Sequence, residues 1–330
     1  LTEEELNQPM ISPELILTIN SSNASFQAGV NSKFANALKR DVKTLLGRLE
    51  TTEKEWNLLP LKHYADVEDL PESFDARTAH PECKEIINHV QDQSSCGSCW
   101  ANAAAGSMQD RMCIQSKGAL KVLISVDDIM SCCTLCGKGC DGGQEFRALG
   151  YANLQGVPTG GDFGDKSTCK PYPFPKCDHH VDGKYGPCKG DYPTPKCEKT
   201  CVPESKKDYK NDKHYGKLPY QIANNEKQIR KEILENGPVT AAFSVFEDFP
   251  VYKSGVYHHV TGKALGGHAV RIFGWGVENN VPYWLVMNSW NEGWGIGGLF
   301  KIKRGSNECG IEGNIAAAIA KVDSSLKFLD

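Results

Sequence analysis

The sequence lacks several features that would place it in a common class. It contains no apolar run of membrane-spanning length, so we expect no transmembrane segment. Its formal net charge is only −4, and no block of like charge indicates a partner such as nucleic acid. No internal repeat is visible. The chain begins with the polar stretch Leu1–Glu5 and not with a signal peptide, which would have been removed before the numbering began.

Cysteine is absent from the first 69 residues, although the whole chain contains 14. Most cysteines lie between Cys83 and Cys201, at irregular spacings filled with glycine, proline and lysine, which is typical of a loop-rich disulfide framework. Disulfides predict an oxidising compartment. Zinc is the alternative, because Cys96-x-x-Cys99 and Cys133-x-x-Cys136 have the spacing of paired zinc ligands.

Two N-glycosylation motifs, which begin at Asn20 and Asn23, point to the same kind of compartment. Together with the cysteines, they predict a lysosomal, endosomal or secreted protein.

The predicted elements are segregated along the chain. An amphipathic helix is predicted over 32–49 and a polar, exposed linker over 50–69. Helices follow at 99–113, from 125 onward, at 144–155 and at 225–236, and strands at 239–246, 268–275, 281–290, 299–303 and 314–322. Helices that precede strands in this way indicate an α+β fold with two subdomains.

The clearest chemical signal is the stretch Gln93-Ser94-Ser95-Cys96-Gly97-Ser98-Cys99-Trp100. Cys99 opens a predicted helix, where a thiol faces unpaired backbone N–H groups and the positive end of the helix dipole. Both favour the thiolate, which is the reactive form of cysteine. The competing interpretation is a structural cysteine beside a disulfide.

A cysteine nucleophile needs an imidazole as its base and a group that orients the ring. His268 opens a predicted strand after a pair of glycines, and Asn288 ends the next strand, followed by Trp290. Neighbouring strands would let Asn288 accept a hydrogen bond from the ring N–H of His268, with Trp290 shielding that bond from water. Either polar residue alone would more often be structural, but the joint pattern with Cys99 favours catalysis.

Three separated motifs, at 93–100, 267–270 and 288–295, resemble those of papain-family cysteine peptidases. Residues 70–77, the Cys132-Cys133 pair and the insertion 177–188 are similar to the cathepsin B group within that family. The resemblance covers nearly the whole chain and implies a zymogen of that group.

The resemblance implies a papain-like fold, with a helical left domain, a β-barrel-like right domain and an active-site cleft between them. Residues 1–69 would be an inhibitory propeptide and 70–330 the peptidase, mainly helical and disulfide-rich over about 85–220 and mainly β over about 221–320. Phe26–Asn31 is similar to a propeptide element of the family. Leu45–Gly47 would cross the cleft in the direction opposite to a substrate, and low pH would trigger removal near Asp69 and Leu70.

The resemblance also implies a mechanism. Cys99 and His268 would form a thiolate–imidazolium pair, Asn288 would orient the ring, and Gln93 would hold the oxyanion with the backbone N–H of Cys99. The expected partners are protein and peptide substrates, the propeptide as an intramolecular inhibitor and inhibitors of the cystatin type. No cofactor or metal is implied.

The family's disulfide pattern can be carried over residue by residue, which leaves Cys99 and Cys309 as free thiols. The implied pairs are Cys83–Cys113, Cys96–Cys140, Cys132–Cys197, Cys133–Cys136, Cys169–Cys201 and Cys177–Cys188.

The insertion 177–188 resembles the occluding loop of cathepsin B, which blocks the primed end of the cleft. His179 and His180 would bind the C-terminal carboxylate of a substrate, which predicts release of dipeptides from C-termini. The resemblance also implies a latch between His179 and Asp92.

A second latch of the family would be missing, because Tyr185 and Gly293 stand at its two positions. We therefore expect a loop that opens easily, and appreciable endopeptidase activity beside dipeptide release.

The resemblance assigns substrate binding to Gly142, Gly143, Gln144, Glu145, Ala242, Ala269, Trp290 and Asn314. Asn314 replaces the acidic residue that many cathepsins B place at the base of the S2 pocket. This pocket holds P2, the second residue before the scissile bond. Acceptance of arginine at P2 then depends on Glu145 supplying the charge from the other side.

Asn102 lies on the predicted catalytic helix, where the family has an apolar or aromatic residue. A buried amide needs hydrogen-bond partners, so we expect this position to cost stability.

Two other classes compete with a peptidase. A catalytically silent binding protein on the same scaffold would have lost Cys99, His268 or Asn288, and all three are present. A zinc-dependent module would need a second well-spaced cluster of ligands, which the sequence does not offer.

Overall fold

The computed structural model describes residues 1–179 and 183–322. The histidine expected at the tip of the 177–188 loop, His180, lies outside the described residues.

Residues 1–69, the N-terminal segment, form short elements laid over the rest of the protein. Thr2, Ser12 and Thr52 each cap a helix by accepting a hydrogen bond from a backbone N–H in its first turn. Phe26 and Phe34 are buried in the same apolar cluster as the main sheet. The elements are α1 (Glu3–Leu6), α2 (Pro13–Ser21), β1 (Phe26–Ala28), α3 (Lys39–Leu45), α4 (Glu53–Trp56) and β2 (Leu61–Lys62).

The helix predicted over 32–49 is wrong in extent, because only α3 is helical in this region. The backbone of the preceding turn pairs with a distant loop instead. Asn36 N–H donates to the carbonyl of His179 at 2.7 Å, and His179 N–H donates to the carbonyl of Lys33 at 3.0 Å. The helix begins only after Leu38, whose N–H is capped by the carboxylate of Asp41 at 2.7 Å.

The exposed linker predicted over 50–69 is also wrong in part. Trp56 packs edge-on against Phe146, with ring centroids 5.5 Å apart, and Leu59 is buried. The linker then adds a short strand, β2, to the main sheet.

The helical part of the fold is organised around one long buried helix, α7. Its side chains from Cys99 to Cys113 are all buried, and it packs against other helices and the sheet. The elements of this part are β3 (Phe74–Asp75), α5 (Ala76–Ala79), α6 (Lys84–Ile87), α7 (Cys99–Gln115), α8 (Val126–Cys132) and α9 (Glu145–Leu154).

The second half is one twisted sheet with a covering helix. Its elements are β4 (Tyr220–Ile222), α10 (Glu226–Asn236), β5 (Val239–Phe246), β6 (Tyr252–Tyr257), β7 (Ala264–Glu278), β8 (Val281–Met287), β9 (Leu299–Lys303) and β10 (Ile315–Ala317). The strand order is β1-β6-β9-β8-β7-β5-β10-β4-β2, with β3 paired to β7.

The order of the strands corrects one expectation and reveals a second feature. The sheet is open, so the described strands do not close into the barrel-like right domain that was expected. Both edge strands, β1 and β2, come from the N-terminal segment. Strand edges carry unpaired backbone groups, so removal of this segment would expose two of them.

The site lies where α7 meets β7. His268 on β7 stands opposite Phe243 on β5, and Ala269 packs in the same cluster as Cys99 and Trp100 at the start of α7. The fold thereby places the cysteine and the histidine on two rigid elements. In the part of the chain that the structure describes, no helix has the length and apolar character needed to cross a bilayer.

Candidate active site

Cys99 stands at the first position of α7, and its thiol is fully buried. The backbone N–H groups of Ala269, Gly47 and Trp100 lie near its sulfur and favour the thiolate. Burial opposes them and dominates, so the pKa of Cys99 is raised to about 12. With the N-terminal segment in place, Cys99 is therefore a neutral thiol.

His268 is bound on one side of its ring only. Its Nε2 lies 2.7 Å from Asn288 Oδ1, and its Nδ1 has no hydrogen-bond partner among the described residues. The backbone N–H of Ser289 donates to the same Asn288 oxygen at 2.8 Å, which identifies that atom as the acceptor. An amide oxygen can only accept, so Nε2 carries the proton and Nδ1 is left free to exchange one with a thiol.

Trp290 covers the His268–Asn288 hydrogen bond. Its ring stacks on the imidazole, with centroids 4.8 Å apart and an interplanar angle of 28°. All three side chains are almost completely excluded from solvent. Burial lowers the pKa of His268 to about 4, although the bond to Asn288 works in the opposite direction. The ring is therefore neutral above that pH in this state.

Gln93 presents its amide nitrogen to a carbonyl of the N-terminal segment. Its Nε2 donates to the carbonyl of Leu45 at 2.7 Å and to that of Cys96 at 2.9 Å. The hydroxyl of Ser289 donates to Gln93 Oε1 at 2.8 Å, which turns the amide so that its N–H groups face Leu45. Ser289 was not predicted as a site residue, and in the sequence only its position next to Asn288 points to it.

Asn102 has hydrogen-bond partners, so its burial does not carry the cost that was expected. Its Nδ2 donates to the carbonyl and hydroxyl oxygens of Ser98, at 3.0 and 3.1 Å. The Ser98 hydroxyl is 2.8 Å from the hydroxyl of Tyr172, which donates to the carbonyl of Gln93 at 2.7 Å. These hydrogen bonds link α7 to the loop that carries Gln93.

The N-terminal segment crosses the site as an extended strand. Arg48 N–H donates to the carbonyl of Gly267 at 3.2 Å, and Leu49 N–H donates to that of Gly143 at 3.0 Å. Gly143 N–H in turn donates to the carbonyl of Gly47 at 2.8 Å, and this pairing is parallel. A Cβ built at Gly47 would overlap a backbone carbonyl of the peptidase part, so only glycine fits there.

Glu145 and Arg48 form a salt bridge in the cleft. The guanidinium reaches the carboxylate through Nε at 3.2 Å and NH2 at 3.3 Å, and the Glu145 side chain is fully buried. Arg48 also lines a cavity of about 330 Å³ together with Ala242, Asn314 and Cys309. The residues expected to form the S2 pocket are therefore gathered around an arginine of the chain itself.

Two further residues of the predicted binding site lie against the same segment. Gln144 Nε2 donates to the carbonyl of Glu50 at 3.0 Å, and Gly142 approaches Gly47 and Leu49. Ala269 is buried behind the site beside Cys99.

The structure contains six disulfides, which join the same pairs as in the resemblance. Cys133 is bonded to Cys136 and Cys96 to Cys140, so neither pair considered for zinc offers two free thiols. The bonds are Cys83–Cys113, Cys96–Cys140, Cys132–Cys197, Cys133–Cys136, Cys169–Cys201 and Cys177–Cys188, and the free thiols are Cys99 and Cys309.

The expected latch between His179 and Asp92 is not formed. Asp92 instead binds Lys33 of the N-terminal segment, whose Nζ lies 2.7 Å from Asp92 Oδ1, with both side chains fully buried. Asn291 Nδ2 and the N–H of Cys177 occupy the other carboxylate oxygen, each at 3.0 Å. Burial also lowers the pKa of His179, which favours the neutral ring. The Lys33 ammonium therefore occupies the place beside Asp92 where the imidazolium of His179 was expected.

The second latch is shifted and not missing, which corrects the other expectation about the loop. Glu292 accepts hydrogen bonds from Tyr185 and, at 2.5 Å, from Lys184. The partner of Tyr185 is Glu292, the residue just before the expected position, Gly293. The Lys184 side chain is 68% exposed, so its ion pair with Glu292 contributes little to this latch.

The two glycosylation motifs differ in their surroundings. Asn20 Nδ2 donates to the carbonyl of Ala28 at 3.0 Å, whereas Asn23 lies on an exposed turn. Modification at either position stays a prediction.

The family model described as papain family cysteine protease matches residues 70–319. A cathepsin B-like cysteine proteinase of Schistosoma japonicum is 46% identical over 315 residues, which are 94% of this chain and 91% of the relative. Cathepsin B-like cysteine proteinase 6 of Caenorhabditis elegans is 42% identical over 318 residues, which are 94% of this chain and 84% of the relative.

The solved structure of proCathepsin B S9 from Trypanosoma congolense is similar over the full length, N-terminal segment included. Its TM-score is 0.82 at 35% identity, and the match covers 95% of this chain and 100% of that one.

Proposed function

This chain belongs to the papain family of cysteine proteases, and on that premise we propose that it is a cathepsin B-type peptidase made as an inactive precursor. The observation that carries the proposal is the arrangement around His268. Its Nε2 is bound to Asn288 and its Nδ1 is free, on a strand packed against the start of α7, where Cys99 stands.

We propose that catalysis starts with transfer of the Cys99 thiol proton to Nδ1 of His268. The thiolate attacks the carbonyl carbon of a peptide bond, and Gln93 Nε2 donates to the oxyanion that forms. The imidazolium then gives its proton to the departing amine, which leaves a thioester. Water, deprotonated by the same imidazole, hydrolyses the thioester and restores the thiol. Asn288 holds the ring in the tautomer that both steps need.

The N-terminal segment would block this cycle in two ways. Its Leu45 carbonyl occupies the hydrogen bond from Gln93 that an oxyanion would take. Its burial of the site keeps Cys99 and His268 neutral. The parallel pairing of Arg48 with Gly143 also differs from the antiparallel pairing that we propose for a substrate, so the segment would resist cleavage. We place the processing site near Asp69 and Leu70.

Acid treatment followed by an epoxide thiol inhibitor tests the proposal. We expect loss of residues 1–69 and labelling at Cys99, with Cys309 unlabelled as an internal control. A processed protein that hydrolyses no peptide and takes up no epoxide at Cys99 would instead be the silent binding protein on the same scaffold.

We propose that the loop 177–188 makes the processed enzyme a peptidyl-dipeptidase. Once Lys33 leaves Asp92, His179 can take its place as an imidazolium, and the loop histidines can receive a substrate carboxylate. Because the Lys184–Glu292 contact is exposed, the loop should also open for longer chains. A substrate with a free C-terminus should be cut at its last dipeptide, and its C-terminally amidated counterpart internally. No cleavage of the amidated substrate from pH 4 to 8 would refute the endopeptidase part.

We further propose that Glu145 selects a basic residue at P2. Asn314 carries no charge, and the salt bridge between Glu145 and Arg48, which also lines the cavity beside Asn314, supports this proposal. A charged hydrogen-bonded pair of this kind is worth more than a neutral one.

Glu145→Gln keeps the shape of the pocket and removes its charge. We expect kcat/KM for a substrate with arginine at P2 to fall about 10- to 100-fold, while a leucine at P2 changes by less than about threefold. Asn314→Asp serves as the matched control and should raise the rate for arginine only. Equal losses for both substrates with Glu145→Gln would mean that Glu145 is structural.

The twelve paired cysteines support an oxidising compartment, and we propose a lysosomal, endosomal or secreted location. Protein and peptide substrates, the N-terminal segment itself and cystatin-type inhibitors are the partners that fit the cleft.

A further inference from the structure

The last part of the N-terminal segment is bound at a second place, far from the catalytic cysteine. Residues 59–64 lie on β4 and α10 and contact Glu232, which binds Arg111 near the end of α7. Arg111 follows Cys99 by about three turns, or about 18 Å along the helix. The contacts made there are therefore independent of the cleft. We call the three residues Gln221, Gln228 and Glu232 the tail site.

Two glutamines of the tail site bind the backbone of the segment. Gln228 accepts from the N–H of Tyr64 through Oε1 and donates to its carbonyl through Nε2, both at 2.8 Å. Gln221 Nε2 donates to the carbonyl of Leu59 at 3.0 Å, and its own N–H donates to that of Pro60 at 2.9 Å. Gln228 is only 6% exposed, so its amide is a buried recognition group. These bonds select an extended peptide whatever its side chains.

Glu232 binds side chains of the same peptide and so adds selectivity. It accepts from the hydroxyl of Tyr64 and lies 3.2 Å from the ammonium of Lys62. The ammonium also sits 5.1 Å from the ring centroid of Tyr64 and 4.9 Å from that of Tyr220. The Glu232 side chain is fully buried. A peptide with lysine and tyrosine two residues apart fits this arrangement.

The groups around Glu232 favour its ionised form while the segment is bound. Burial opposes ionisation of Glu232, but Arg111, Tyr220, Tyr64 and Lys62 outweigh it and hold its pKa below the ordinary value. Departure of the peptide removes two of these partners, the hydroxyl of Tyr64 and the ammonium of Lys62, from the Glu232 carboxylate. Leaving a buried charged acceptor with fewer partners is unfavourable, so the empty site favours rebinding.

We propose that the processed enzyme retains the tail site as a peptide-binding site, whose occupant is the excised end of its own N-terminal segment, residues 57–69. This inference rests on the proposed removal of residues 1–69. Attachment at the cleft and attachment at the tail site are then separate events on one tether. Residues 45–49 can leave the cleft while residues 59–64, bound at the tail site, keep them at high local concentration. A cut between residues 50 and 59 would leave residues 59–64 bound at the tail site.

Binding of a labelled peptide to the processed enzyme tests the proposal. Cys99 is first blocked with an epoxide inhibitor, so that the peptide can be neither cut nor bound at the nucleophile. N-terminal sequencing checks that residues 1–69 have been removed. If they are still present, the proposed processing is wrong, and the result does not contradict the tail site. The probe is a fluorescent peptide of residues 57–69, followed by fluorescence anisotropy.

We expect saturable binding that weakens about tenfold or more when the peptide carries Tyr64→Phe, and several-fold with Lys62→Met. Ala65→Ser, at an exposed position, is the matched peptide control and should bind like the natural sequence. These variants leave the enzyme untouched, so a folding defect cannot explain a loss.

A variant of the enzyme gives the reciprocal test. Gln228→Ala should weaken binding of the natural peptide, whereas Glu235→Gln, an exposed change on the same helix, should not. Absence of saturable binding at about 1 mM peptide would overturn the proposal. Equal affinity for the natural and the Tyr64→Phe peptides would overturn it as well.

Discussion

The N-terminal segment holds the peptidase by two regions that use different chemistry. Over the cleft, residues 45–49 are bound through backbone groups and one salt bridge, Arg48–Glu145, and Gly47 leaves no room for a side chain. At the tail, the backbone pairing of β2 with β4 is joined by side chains of the peptidase that bind residues 59–64, and Lys62 and Tyr64 contribute their own side chains. The first region excludes water and substrate from Cys99. The second region contacts neither Cys99 nor His268. We therefore expect inhibition of the peptidase and attachment of the segment to depend on different regions of the segment.

The largest expected effect concerns the protonation of Cys99. With the segment in place its pKa is about 12, so at pH 7 only about one thiol in 10⁵ is ionised. At pH values below the pKa of Cys99, only a small fraction of the thiol is thiolate, and this fraction grows about tenfold per pH unit. The alkylation rate of the precursor should therefore rise about tenfold per pH unit up to pH 10.

Removal of the segment exposes Cys99, so the alkylation rate of the processed enzyme should not change with pH between about pH 5 and 8. At pH 7 this rate should be at least about 10³-fold higher than in the precursor. The rate of iodoacetamide addition at Cys99, read by mass spectrometry against Cys309, measures both profiles. Rates within about tenfold of each other would show that the segment inhibits by blocking access alone.

The next effect is expected from Gly47→Ala in the precursor. The added methyl group would overlap the carbonyl oxygen of Gly97, a residue whose own N–H donates to the carbonyl of Cys140. Overpacking of this kind should lift the segment off the cleft and speed labelling of Cys99 about 10- to 100-fold. Gly150→Ala is the matched control, because no neighbouring atom lies near that position. Unchanged labelling would mean that the cleft contact tolerates a side chain.

Local chemistry explains why the three residues of the candidate active site could be proposed from the sequence. Cys99, His268 and Asn288 lie in short motifs whose spacing already implies a helix start and two paired strands. The structure places the last two 2.7 Å apart through their side-chain atoms. Strand-type composition likewise predicted β5 and β9 with correct bounds, because β-branched and aromatic residues favour strands.

Long-range contacts explain the failures. Residues 32–38 have a helical pattern, yet their backbone pairs with His179 and Lys33 inserts into a carboxylate near the loop, and neither contact leaves a local signal. The Glu292 latch was missed because partners were assigned by position in the family, and the contact has moved by one residue. The polar composition of residues 50–69 predicted an exposed linker. In the structure, the side chain of Gln228 makes the hydrogen bonds to the N–H and carbonyl of Tyr64 that water would otherwise make.

The smallest effect, and the sharpest test of the comparison, is expected from Tyr64→Phe in the intact precursor. The change removes one hydrogen bond to Glu232 and leaves its contacts with Arg111 and Tyr220. Amide hydrogen exchange over 57–69 should quicken about tenfold, because Tyr64 N–H is held at the tail site. Exchange over 43–50 and labelling of Cys99 should stay within about twofold of the natural protein. Ala65→Ser should change neither. If Tyr64→Phe instead exposed Cys99 as much as Gly47→Ala does, the tail would itself be part of the inhibitor, and the two regions would act as one.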